Sequence, residues 1–172
     1  MALHLIIDGY NFIRQSEALR PLDRAALEFG RDALIDRLAT YKKIKRHKIT
    51  VVFDGSQKYY FPENITSAKG IAIRFSRHGE TADTLIQKMV RRERERAMVV
   101  SADRELIDFA DAQGAAVASA DQFEEKLIMA EMMEMEGSPE GDNASERGTK
   151  KKGPSKRLPK SERRNLKKIE KL

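Results

Sequence analysis

The chain has 172 residues, 33 Lys+Arg against 27 Asp+Glu for a formal net charge of +6, and no cysteine. That length suits one domain with an appendage, and the lack of thiols excludes a disulfide framework or a thiolate metal site, so a cytoplasmic setting is expected. The charge is uneven: residues 1–136 hold 21 basic and 22 acidic side chains, whereas 137–172 hold 12 and 5, the pattern of a near-neutral fold with a cationic extension for a polyanion.

The opening stretch "MALHLIIDGYN" has no basic lead and reaches Asp8 after a short apolar run, so neither a signal peptide nor a membrane span is expected. "LHLIID" reads as a strand. Leu27, Leu34, Leu38 and Tyr41 then recur at helical spacing, predicting a helix over 22–41 with Asp23 as its N-cap. "KITVVFDG" is a second strand, again ending Asp-Gly. After a loop containing "KYYFPEN", "IAIRFS" reads as a strand. Residues 80–96 follow as a helix with Ala82, Leu85, Ile86, Met89 and Val90 on one stripe. "AMVVSAD" is a further strand. A helix over 104–112, a weak strand "AAVASA" and a Met-rich helix over 122–135 complete the series. Strands alternating with helices predict an α/β fold with a mainly parallel sheet covered on both faces.

A domain is therefore expected over 1–136. Residues 137–172 are expected as a flexible basic tail, since "EGSPEGDNASERGTKKKGPSK" has little to bury. Within the tail, 161–172 predicts a short basic helix, with Leu166, Ile169 and Leu172 on one side, only if a partner covers that side.

In a parallel sheet all strands share one carboxyl edge, where ligands bind. Asp8, Asp54 and Asp103 stand at or just past the ends of three strands, and Asp83 lies in the first turn of the helix in "GETADTLIQ", so the fold brings four distant carboxylates to one edge. Unpaired, they repel one another. Mg²⁺ or Mn²⁺ takes oxygen ligands, keeps waters and bridges carboxylates to substrate phosphate, which is hydrolytic nuclease chemistry. Gly79 allows a tight turn ahead of Asp83, and Glu80 sits beside it. Asn11 either closes an Asx-type turn or reaches a phosphate or a metal-bound water. Ser101 and Asp103 suit the capping of the next helix as well as the site. Lys58 and Tyr59 open a charged and aromatic loop after Asp54, suited either to stacking on unpaired bases or to a hydrophobic plug. Met129 to Met135 reads as a packing face.

"LIIDGYNFI", "VVFDG", "GETADTLI" and "VVSADREL", in this order, resemble the YacP-like branch of the NYN domains, relatives of the PIN nucleases, over about residues 3–135. The resemblance implies a Rossmann-like, three-layer PIN fold and a metal-dependent endoribonuclease acting on RNA. It implies Asp8, Asp54, Asp83 and Asp103 as catalytic carboxylates, with Asp8, Asp83 and Asp103 holding the metal and Asn11 matching the family's amide. Many PIN relatives carry a further acid where this chain has Glu105, which is one carbon longer, so Glu105 is kept outside the central set. Four readings are weighed: a metal-dependent endoribonuclease; an RNA-binding module of the same fold with little turnover; a phosphohydrolase on small substrates, disfavoured because Tyr10 stands where a second aspartate is usual; and a metal-free ribonuclease using His4, His47 or His78. The basic tail is expected to add salt-sensitive affinity for RNA, with the ribosome one such polyanionic surface. Oligomeric state is not legible.

Overall fold

Five of the apolar runs align as parallel strands, and helices return the chain between β1 and β2, β4 and β5, and β5 and β6. The computed structural model describes residues 3–55, 67–77, 79–137 and 159–172. In chain order these form β1 (His4–Asp8), α1 (Gly9–Gln15), α2 (Arg20–Ala25), α3 (Leu27–Ile44), β2 (Lys48–Phe53), β3 (Ser67–Ala68), β4 (Ile71–Phe75), α4 (Ala82–Glu93), β5 (Ala97–Val100), α5 (Arg104–Ala112), β6 (Ala116–Ala118), α6 (Ala120–Met135) and α7 (Lys160–Ile169). The sheet order is β3-β4-β2-β1-β5-β6. Among the described strands only the two-residue β3 runs antiparallel, against β4. The chain builds outward from β1 to β2 and β4, then crosses back to β5, so the carboxyl ends of β1 and β5 flank the reversal where such sheets bind ligands.

Each face of the sheet has its own core. Leu5 and Ile7 of β1 join α1, α3 and α6 through Phe12, Leu34, Leu38, Tyr41 and Phe123. On the other face Ile6 and Val52 pack under Ile86 and Val90 of α4 and Leu106 and Ala110 of α5. The central strands β1, β2 and β5 are buried on both sides, as their near-continuous apolar runs require. Among the described residues no helix is long and apolar enough to cross a membrane.

Three expectations need correction. The helix expected over 22–41 is two helices, broken at Ala26, whose φ of −160° and ψ of 138° are extended. Asp23 therefore lies in the first turn of α2 rather than capping the longer helix, and α3 has no side-chain cap. On α6 the packing face is Ala120, Phe123, Leu127 and Ala130, while Met129, Met132, Met133 and Met135 are exposed. The methionines alternate around a helix whose core stripe is already filled by smaller and aromatic side chains.

The basic helix near the end of the chain does form, and the surface that covers it is the domain itself. Ile169 and Leu172 pack into the core beside α3 and α6, and Leu166 stays half exposed. The Tyr41 hydroxyl donates to the Leu172 carbonyl at 3.3 Å. Arg164 donates to the Asp111 carboxylate at 2.8 Å, and the Lys168 ammonium to the Glu95 carbonyl. The linker expected ahead of this helix falls, over 138–158, outside the described residues.

Candidate active site

β1 ends on Asp8 and α1 begins at once on Gly9. Sequence reading takes this glycine for a turn residue, yet its role is steric. A Cβ at Gly9 would stand 2.3 Å from the Phe53 ring, and that ring is already packed on Tyr10 with centroids 5.0 Å apart. The second Asp-Gly repeats the logic: a Cβ at Gly55 would meet the Ser76 carbonyl oxygen at 2.2 Å. Both glycines let neighbouring groups crowd the strand ends that carry the aspartates.

Asp8 is only 8% exposed. Its carboxylate accepts the backbone N–H of Asn11 and, at 3.5 Å, the Ser101 hydroxyl. Burial, then the negative charges of Asp83 and Asp103, outweigh these two bonds and push its pKa up to about 7. Ser101, fully buried after β5, also accepts from the Asp103 backbone N–H at 3.1 Å. Asn11 spans the same gap, its side-chain oxygen accepting from the Ala102 N–H at 2.9 Å. Neither alternative weighed for Asn11 describes this bond; the amide ties the start of α1 to the loop after β5. Asp103 caps α5, accepting from the Leu106 N–H at 3.1 Å, as expected.

Asp83 is the second residue of α4, whose N-cap Thr81 accepts from the Thr84 N–H at 3.2 Å. Gly79 has a φ of +81°, the left-handed conformation that makes the preceding turn tight. The Asp83 carboxyl is raised by burial and then by Asp103, Asp54 and Glu105. Asp8, Asp54, Asp83 and Asp103 thus share the carboxyl edge, coupled in pairs through their charges. Among the described residues, however, no three His, Cys, Asp or Glu side chains are gathered closely enough to hold a metal ion. Glu80 stands apart, its carboxyl held low by the hydrogen bond from Lys88 at 2.5 Å. Lys58, Tyr59 and His78 lie outside the described residues.

One contributor escaped the sequence reading, and another had been set outside the central group. Ser76 accepts from the Gly55 N–H at 3.0 Å and donates to Asp54 at 3.4 Å. Its signal was the pairing of Phe53 with Phe75, which sets the residues after both strands side by side. Glu105 adds its charge to Asp83 from the first turn of α5, although its extra carbon had argued against including it.

Comparison with known proteins agrees with this architecture. A family model described as YacP-like NYN domain matches residues 5–171. A curated relative, YacP of Bacillus subtilis (strain 168), is 32% identical over 85 residues, which is 49% of this chain and 49% of that protein. The match therefore spans about half the length of that relative. A crystal structure of Rae1 (YacP) from Bacillus subtilis superposes with a TM-score of 0.66 at 27% identity, covering 79% of each chain. A mutant of it gives 0.67 at 25% identity, covering 78% of this chain and 80% of that one.

Proposed function

The chain belongs to the YacP-like NYN domain family, within a superfamily of PIN-like nucleases, and on that premise we propose that it is a cytoplasmic, divalent-metal-dependent endoribonuclease. The observation that carries this reading is Asp8. A carboxylate 8% exposed, at the sheet's point of reversal and facing two further acids that raise its pKa to about 7, is poised for a positive charge to relieve it. An all-oxygen donor set of this kind suits a hard cation in its chemistry, although the acids are not drawn together as a ready cage. Asp8, Asp83 and Asp103 are the residues that would hold Mg²⁺ or Mn²⁺, which when bound neutralises the edge and polarises a phosphodiester.

The remaining side chains prepare that edge. Ser101 and the Asn11 N–H fix the orientation of the Asp8 carboxylate. The Asn11 side chain locks the loop that carries Asp103. Ser76 positions Asp54, whose charge adds to the field at Asp83. Each hydrogen bond holds an acid in place before substrate arrives, which lowers the reorganisation needed at the reacting phosphate.

The spread of the carboxylates favours a second reading, an RNA-binding module of the same fold with little turnover. Cleavage of a labelled mixed-sequence RNA by wild type and Asp8→Asn, with Mn²⁺, Mg²⁺ or excess EDTA, separates the two. Metal-dependent cutting lost in Asp8→Asn is the expected result. Cutting that survives EDTA refutes metal dependence, and intact RNA that remains bound to wild type selects the binding module. Basic side chains near the end of the chain that α7 docking leaves free are assigned to a polyanion, the ribosome being one such surface.

A further inference from the structure

On the α4 side of the sheet, the helix lies over β1, β2 and β5, and a cleft of about 290 Å³ opens between α4 and β4. Its floor is small or apolar: Ala72 on β4, and Leu85 and Met89 on α4. Behind it the buried imidazole of His4 shares a hydrogen bond of 2.8 Å with the Thr50 hydroxyl. The rim carries four cations, Lys48, Arg74, Lys88 and Arg92, and none of the described lining residues is an acid. Lys88 is held by Glu80 at 2.5 Å, and Arg92 stands 3.4 Å from Glu93. Arg74 forms no ion pair with a described residue, and Lys48 lies in the field of Glu93, which stands 3.4 Å from the His4 Nδ1, without an ion pair at contact distance.

Strand register ties this cleft to the carboxylate edge. Asp8 pairs with Val52, and Val52 with Arg74, so Arg74 lies level with Asp8 on the same face, roughly 10 Å away at two strand spacings. Along α4 the distance from Asp83 to Arg92 is roughly 13 Å at the helical rise. A polyanion leaving the carboxylates along this side meets Arg74 first, then Lys88, then Lys48 and Arg92. Point charges over an apolar floor suit a sugar-phosphate backbone, and no Phe, Tyr or Trp is among the described lining residues to stack a base.

We propose that the cleft between α4 and β4 is a backbone-phosphate subsite that holds the RNA strand a few nucleotides from the bond at the carboxylate edge. The proposal rests on the ribonuclease reading and deepens it: substrate is gripped on one side without regard to sequence.

The test measures single-stranded RNA affinity against salt in EDTA, so that the strand stays intact, for the wild-type full chain, Lys48→Gln/Arg74→Gln, and Arg20→Gln/Arg24→Gln. The last removes the same charge from exposed positions on α2. Each lost phosphate contact lowers the salt slope by about 0.7, so the cleft variant should lose about 1.4 from its slope, a difference of roughly sevenfold over a fourfold rise in salt. The α2 variant should keep the wild-type slope. Cleavage of an oligonucleotide too short to reach the cleft should proceed at the wild-type rate in the cleft variant, while a longer RNA is cut less efficiently through a raised KM. A wild-type slope in the cleft variant, or an equal loss in both, overturns the subsite and leaves the ribonuclease reading standing. Wild-type protein that neither binds nor cuts RNA overturns both.

Discussion

Replacing Asp8 with asparagine should stabilise the metal-free protein. The Asp8 carboxyl has an ordinary value of 3.8 and is pushed up to about 7 in the fold, first by burial and then by Asp83 and Asp103. Between those two values the unfolded chain has released a proton that the folded chain still holds, so stability falls as pH rises from about 4 to about 7 and then levels. The ceiling is roughly 4 kcal/mol, from a shift of about three units at 1.36 kcal/mol each. Asp83 is itself partly exposed, so screening lowers the realised gain to about 2 kcal/mol. The amide oxygen of Asn can still accept the Asn11 N–H, and its NH₂ can donate to the Ser101 hydroxyl. Urea unfolding in EDTA at several pH values reads the effect. Above pH 7 Asp8→Asn should exceed wild type by about 2 kcal/mol, or about 4–8 °C in Tm, and the gap should close towards pH 4. An asparagine variant less stable than wild type at high pH, or a gap that does not change with pH, would refute the reasoning.

The other predictions concern the scaffold. Gly9→Ala should unfold at lower urea concentration by about 2 kcal/mol, because its Cβ meets the Phe53 ring at 2.3 Å; Phe53→Leu in the same chain should recover part of the loss, and no recovery would dismiss the steric account. Arg37 of α3 joins Glu124 and Glu131 of α6, at 2.5 Å to each. Arg37→Met should cost about 2 kcal/mol at neutral pH by leaving a mostly buried Glu124 unpaired, and less at a pH low enough to protonate that acid, as chemical denaturation at both values will show. Leu172, 2% exposed, should cost about 2–3 kcal/mol as Leu172→Ala, measured by the same unfolding curves; a loss within error would mean that the end of α7 does not seal the core.

Elements with strong periodicity were legible in the residues. The helix expected over 104–112 is α5 to the residue, since its apolar stripe and its cap Asp103 agree. Asp8 and Asp103 were legible for a topological reason: parallel strands leave terminal side chains nowhere to go but a common edge. Local pattern failed where tertiary contacts decide. Gly9 reads as a strand-ending turn residue, yet α1 starts there and the Phe53 ring fills the space its side chain would take. Ser76 carries no local signal, and only the register of β2 with β4 reveals it. The distances among the carboxylates were not legible either, since the rotamers of α4 and the loop after β5 set them. The docking of α7 was hidden by composition. A segment with many cations reads as solvated, although Arg164 and Lys168 spend their donors on carbonyls and a carboxylate of the domain.

The seating of α7 has a consequence for how the chain tolerates change. Helix and domain belong to one chain, joined through residues 138–158, so docking is a unimolecular binding event. What holds the helix in its seat is the apolar anchor of Ile169 and Leu172, so change is least tolerated there. A second copy's α7 meets the same seat only in competition with this intramolecular helix, so exchange between chains is a matter of protein concentration.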